Sequence, residues 1–140
     1  MARLLWAEDS PDDQALIRAA LSNMLHVPEV EFVSDGVALL EKAAADPRPG
    51  LIVLDLGMPR MDGMETLARL QAAGNRVGVI VFTGHDGPGE ERQCRSRGAA
   101  EVIQKPTGYW EFVAAVQRIV THSAWTLSDS ERLAVTVPSP

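Results

Sequence analysis

Five polar side chains sit where short apolar runs stop, and their types suit charge-stabilised transfer onto a carboxylate. Glu8 and Asp9 follow the run at 4–7, Asp55 the run at 51–54, and Thr83 the run at 77–82, while Lys105 comes just after 101–103. Three carboxylates brought within about 5 Å repel one another by roughly 3 kcal/mol per pair at an effective dielectric of 20. They stay ionised together only beside a strong cation. An oxygen-only donor set of this density suits Mg²⁺, which prefers octahedral geometry and keeps several of its waters. Mg²⁺ held by one or two carboxylates retains positions for phosphoryl oxygens. Lys105 would add a second positive charge and Thr83 a hydroxyl donor. Carboxylate nucleophile, metal, ammonium and hydroxyl together make a site for phosphoryl transfer onto Asp.

Each of these residues alone has a simpler role. Asp9 or Asp55 would cap a helix or loop, Thr83 would serve a turn, and Lys105 would be a solvated charge. Asp12 and Asp13 read as cap and dipole residues of the first helix, and Asp62 as the cap of the third. Tyr109, Trp110 and Trp125 read as packing or interface residues, and His26, His85 and His122 are too dispersed for a metal cluster. The case for chemistry rests on joint occurrence at four strand ends.

The elements that must position these groups are legible in the patterning. Strand-length segments at 4–7, 30–33, 51–54, 77–82 and 101–103, apolar but for Glu31, Gly78 and Glu101, alternate with segments of helical period. Ser10-Pro11-Asp12-Asp13 is a helix start, with Ser as N-cap and Pro at the first helical position. Ile17, Leu21, Met24 and Leu25 keep one apolar face through that helix. A second helix runs from Asp35-Gly36 to about residue 45. The run at 51–54 is apolar on both faces, as in a strand covered on both sides. A third helix runs over about 64–73. The fourth, from 90 to 97, is mostly polar, and Gly98 stops it. The last helix has the clearest stripe: Phe112, Val113, Val116, Ile119 and Val120. Five βα units in succession predict an α/β domain with a parallel five-stranded sheet, five helices on its two faces and right-handed crossovers. The flavodoxin-like doubly wound order 2-1-3-4-5 suits five strands, and its ligand crevice lies at the strand carboxyl ends, between strands one and three. The domain is expected over 1–121. An extension over 122–140 is expected to pack on it or on a dimer partner through Trp125 and the 133–137 run.

Composition narrows the class. The chain has 140 residues and a formal net charge of −6, which argues against nonspecific nucleic-acid binding through a basic face. Its single cysteine, Cys94, makes neither an internal disulfide nor a cysteine metal site. Acidic Glu8 and Asp9 arrive too early for a signal peptide. No apolar run approaches the ~20 residues of a membrane span. A soluble, cytoplasmic protein is expected.

Glu8-Asp9-Ser10-Pro11-Asp12-Asp13, Leu54-Asp55-Leu56-Gly57-Met58-Pro59 with Met61-Asp62-Gly63, Thr83-Gly84 and Lys105-Pro106 together resemble the receiver domain of two-component response regulators. The resemblance covers residues 3 to about 121. It implies Asp55 as phosphoacceptor, Asp9 and Asp55 as Mg²⁺ ligands with the Gly57 backbone carbonyl, and Glu8 acting mostly through water. It implies further that Thr83 bonds the phosphoryl oxygen and that Lys105 pairs with the phosphate. The donor would be a phosphohistidine on a histidine kinase. The Ser10–Asp13 start, the Lys105-Pro106-Thr107 ending and the lack of an output domain are similar to single-domain regulators encoded with bacteriophytochrome histidine kinases. Gly57 and His85 occupy the positions that tune hydrolysis in the family. Val102 stands where many receivers carry an aromatic switch residue, so an aromatic-rotamer route is not expected. The resemblance also implies a homodimer through the fourth helix, fifth strand and fifth helix.

Two other readings compete. A Mg²⁺-dependent phosphohydrolase with an aspartyl-phosphate intermediate would carry its nucleophile after strand one and a general acid two residues on, where this chain has Gly57. A receiver-like scaffold that works without phosphorylation would lack the Asp or the Lys, and both are present. The protein is therefore expected to act by binding a partner, not as an enzyme on a separate substrate.

Overall fold

The structure is a computed structural model that describes residues 3–24, 29–45, 47–84 and 88–122. His26, His85 and the extension from residue 123 onward, with Trp125, lie outside the described residues.

Among the described residues strands and helices alternate without exception. The order is β1 (Arg3–Ala7), α1 (Pro11–Ser22), β2 (Glu29–Val33), α2 (Gly36–Ala44), β3 (Leu51–Leu54), α3 (Gly63–Ala72), β4 (Val79–Thr83), α4 (Pro88–Ser96), β5 (Glu101–Gln104) and α5 (Tyr109–Val120). All strand pairs are parallel, in the order β2-β1-β3-β4-β5. This is the flavodoxin-like arrangement expected from the alternation.

Period-two alternation assigns each central strand residue to one of two cores. Leu4, Trp6, Leu51, Val53, Ile80 and Phe82 face α1 and α5, meeting Ile17, Leu21, Phe112, Val116 and Ile119. Leu5, Ala7, Ile52, Leu54, Val79 and Val81 face the other layer, meeting Leu39, Leu67, Leu70 and Cys94. Strands β3 and β4 are buried at every position, which explains their unbroken apolar sequence.

Helix starts follow the local chemistry. Ser10 Oγ accepts the Asp13 N–H at 3.3 Å with Pro11 at the first turn. Asp35 caps α2 by accepting from Ala38, and Asp62 caps α3 by accepting from Glu65. Helix α4 holds on weakly: Cys94 is its one buried side chain among those described.

The fourth strand begins later than the apolar run suggested. The Asn75 side chain bonds both the N–H and the carbonyl of Val77, at 3.2 and 2.8 Å. That curls the chain and consumes groups a strand would offer its neighbour. Pairing resumes where the Ile52 N–H reaches the Gly78 carbonyl at 2.9 Å, and the strand then runs through Thr83. Among the described residues no helix is long and apolar enough to cross a membrane.

Candidate functional site

Sheet register sets the site. Ala7 of β1 lies beside Leu54 of β3, so the residues that follow each strand emerge side by side. The Asp55 N–H donates to the Ala7 carbonyl at 3.2 Å and the Glu8 N–H to Val33 at 2.9 Å. On the other side, Thr83 pairs with Gln104, and the Lys105 N–H donates to the Thr83 carbonyl at 2.8 Å. Parallel pairing thus delivers Glu8, Asp9, Asp55, Thr83 and Lys105 to one end of the sheet.

Asp55 is held at both oxygens. Oδ1 accepts from the Thr83 hydroxyl at 2.9 Å and the Gly57 N–H at 3.1 Å. Oδ2 accepts from Lys105 Nζ at 2.9 Å. The ammonium also donates to Glu8 Oε2 at 2.6 Å and to Asp13 Oδ2 at 2.8 Å. Its three N–H groups therefore meet three carboxylates from three parts of the chain. Carboxylate oxygens of Glu8, Asp9 and Asp55 lie within 4.8 Å of one another, with Glu8 and Asp55 buried and Asp9 exposed. Hard oxygen donors alone, one of them open to solvent, fit a Mg²⁺-type cation that keeps waters.

Protonation follows burial and the shared ammonium. Burial pushes the Asp55 carboxyl up, but Lys105, the Gly57 N–H and the Thr83 hydroxyl outweigh it and hold the group below the usual carboxylate range. For Glu8 burial wins, and its carboxyl lies above the ordinary value despite Lys105 and the Ser10 N–H. Burial disfavours the Lys105 ammonium, yet its bonds to Asp13, Glu8 and Asp55 raise it well above an ordinary lysine. Four carboxylates, counting Asp9, surround one ammonium, so the pocket keeps a negative excess for a cation to neutralise.

The loop after β3 is fixed from outside. Gly63, the first residue of α3, presses against the Asp55–Leu56 backbone: a Cβ there would stand 2.5 Å from the Asp55 carbonyl oxygen. Its N–H donates to the Leu56 carbonyl at 3.0 Å. Arg60, at φ 65°, pairs with the buried Asp35 carboxylate. These contacts aim the loop that carries Gly57, which is itself exposed. Val102 sits on β5 beside Val81, half-buried against the core on the α2–α4 side.

The family model for the response regulator receiver domain matches residues 4–117. The chain belongs to that family. It is a receiver domain of the kind found in two-component response regulators. The receiver is 33% identical over 111 residues to "Response regulator MprA" of Mycobacterium leprae (strain TN), covering 78% of this chain and 48% of that protein. It is 32% identical over 127 residues to the protein of the same name in Mycobacterium avium (strain 104), covering 89% and 55%. It thus spans about half the length of these relatives. Among solved structures, the Mn(2+)-bound form of response regulator Rcp1 superposes with a TM-score of 0.80 at 24% identity, over 99% of this chain and 100% of that one. The phosphorylated cyanobacterial phytochrome response regulator RcpA superposes with a TM-score of 0.77 at 24% identity, over 99% of both chains. At that identity both likenesses speak for the fold.

Sequence reasoning missed one residue of the receiver site. By its sequence position Asp13 is a cap or dipole residue of α1, yet its carboxylate accepts from Lys105 Nζ at 2.8 Å. A signal was present. An acid at the third position of a helix starting just past a site strand has its Cβ tilted back toward the helix N-terminus, over that strand's end.

Proposed function

We propose that this receiver accepts a phosphoryl group on Asp55 and signals the change by binding another protein. The observation that carries the reading is the grip on Asp55: an ionised carboxylate bonded by Thr83, Gly57 and Lys105, beside the carboxylates of Glu8 and Asp9. Glu8, Asp9, Asp55 and the Gly57 carbonyl would hold Mg²⁺, Glu8 mostly through water. The bound ion supplies positive charge against the phosphoryl oxygens.

The donor in this reading is a phosphohistidine on a histidine kinase. An Asp55 oxygen forms the new O–P bond while the P–N bond of the imidazole breaks. The bonding pair stays on that nitrogen, which takes a proton. Lys105, already 2.9 Å from Asp55, is placed to pair with the transferred group, and the Thr83 hydroxyl to donate to one of its oxygens. Gly57 leaves room for attacking water, and His85 would tune that hydrolysis. With Gly57 two residues after Asp55, the chain lacks the general acid that a phosphohydrolase would place there. The reading is therefore of a phosphoacceptor, not an enzyme on a separate substrate, working in the cytoplasm.

A bacteriophytochrome-type kinase is favoured as the partner by the end-to-end likeness to RcpA, described as a phytochrome response regulator. A homodimer through α4, β5 and α5 is favoured by Tyr109 and Trp110, stacked edge to face at 4.9 Å and 46% and 74% exposed. Large aromatics left in water are the usual anchors of an interface. Val102 in place of an aromatic switch leaves the Thr83 loop and α4 as the route outward. Light scattering checks the dimer: a monomer at micromolar concentration, with and without a phosphoryl mimic, rules it out.

Incubation with acetyl phosphate and Mg²⁺, followed by intact mass, tests the central reading. Wild type is expected to gain one phosphoryl adduct and Asp55→Asn none. An adduct that persists in Asp55→Asn, or none on wild type, overturns the assignment.

A further inference from the structure

We infer that Asp13 is a positioning residue for phosphoryl transfer: it tethers the Lys105 ammonium in the pocket while the other carboxylates serve the metal and the phosphoryl group. The inference rests on the phosphoacceptor reading above.

Lysine is a point charge on a flexible stem, and fixing it costs conformational entropy. Here the ammonium is fixed by three bonds, to Glu8, Asp13 and Asp55, and its side chain is 13% exposed. Two of those partners, Glu8 and Asp55, belong to the acidic triplet whose oxygens lie within 4.8 Å. Asp13 stands outside that triplet, on the first turn of α1. When the triplet turns toward a cation, Asp13 is the carboxylate left to Lys105.

Its own placement is secure. Pro11 and the Ser10 cap fix the first turn of α1, and Ser10 in turn donates its N–H to Glu8 Oε1 at 3.1 Å. The Gln14 side chain donates to the Glu8 carbonyl at 2.7 Å. The start of α1 is thus bolted to the end of β1, and Asp13 inherits that rigidity. A lysine tethered there stays within reach of Asp55 without depending on Asp55 for its position.

Asp12, one residue earlier and exposed, is a matched control. It shares the charge and the helix turn. Two measurements decide the matter.

The first reads Lys105 directly in metal-free protein. The chain has two lysines, Lys42 and Lys105, and Lys42 is half exposed. In a ¹⁵N spectrum of side-chain ammonium groups, wild type and Asp12→Asn should show one slowly exchanging signal. Asp13→Asn should lose it to broadening.

The second reads the adduct-forming rate with acetyl phosphate at saturating Mg²⁺. Asp13→Asn should slow it by on the order of tenfold, as expected for loss of a charged hydrogen bond. Asp13→Glu should recover most of the rate, and Asp12→Asn should match wild type. In a Lys105→Met background, Asp13→Asn should cost nothing more, because the residue acts through the lysine.

Equal slowing by Asp12→Asn overturns the inference, as does a loss that persists in the Lys105→Met background. So does an ammonium signal that Asp13→Asn leaves intact. If wild type takes no phosphoryl group, the phosphoacceptor reading falls, and the positioning role falls with it even where the ammonium signal behaves as expected.

Discussion

Both oxygens of Asp55 carry hydrogen bonds, and the neighbouring Glu8 is fully buried with one partner at each oxygen. The two carboxyl groups are nevertheless shifted in opposite directions from their ordinary values, and stability should follow. Asp55 is held below its ordinary value of 3.8. Its ionised form therefore adds stability above that value, lost as pH falls through the folded pKa. Glu8 is raised above 4.5. Folding then favours its protonated form, so ionisation of Glu8 lowers stability as pH rises through its folded value. Below 4.5 that cost is absent. Glu8→Gln removes it, so the metal-free variant should melt at or above wild type at pH 7. The gap should close as pH falls below Glu8's folded value. Thermal melts across the acid range check this, and a variant that melts clearly lower than wild type at pH 7 refutes it. A site that carries avoidable desolvation in this way trades stability for readiness to bind a cation.

At the scale of elements, the apolar runs marked where each strand would stop, and parallel register did the rest. Glu8 and Asp55 meet because Ala7 lies beside Leu54, a relation that follows once the order 2-1-3-4-5 is adopted. What escaped the sequence were side chains whose hydrogen bonds and contacts, near in the chain or far, leave no mark on its periodicity. Asn75 delays β4 by bonding Val77 twice, and no periodicity announces it. Asp13 reads as a dipole residue until the end of β5 is brought beside α1. Arg60 adopts a positive φ against Asp35 in a loop, where pattern carries no information. Gly63 is a close approach that only the fold creates, and it gives a test. Gly63→Ala forces a Cβ to 2.5 Å from the Asp55 carbonyl and the Leu56 Cα, rigid backbone on both sides. It should cost about 1–3 kcal/mol and slow phosphoryl uptake, since the Asp55 loop must shift. Gly89 in α4 meets nothing within 4 Å, so Gly89→Ala should be neutral or stabilise by up to about 1 kcal/mol. Urea midpoints at unchanged slope read both. Equal effects of the two changes would mean that the contact at Gly63 is not what the sequence position requires.

The whole molecule links its acidic end to its global stability. Both cores pack against the same central strands, β1, β3 and β4, and the acidic triplet sits just past the ends of β1 and β3. Repulsion there is opposed by packing in both layers, and a bound cation relieves it only while the strand ends stay aligned. An ion held by the folded acidic triplet and not by the unfolded chain must raise stability by mass action. At Mg²⁺ a hundredfold above its dissociation constant the gain is about 2.7 kcal/mol. For a domain of this size that is roughly 10 °C in melting temperature. Asp9 supplies the exposed carboxylate of the triplet and has no part in the Lys105 contacts. Asp9→Asn should therefore abolish the Mg²⁺-dependent rise while leaving the metal-free melting temperature near wild type. Asp12→Asn should keep the rise in full. If Mg²⁺ leaves wild type unmoved, or raises Asp9→Asn equally, the cation binds elsewhere and the triplet is not its site.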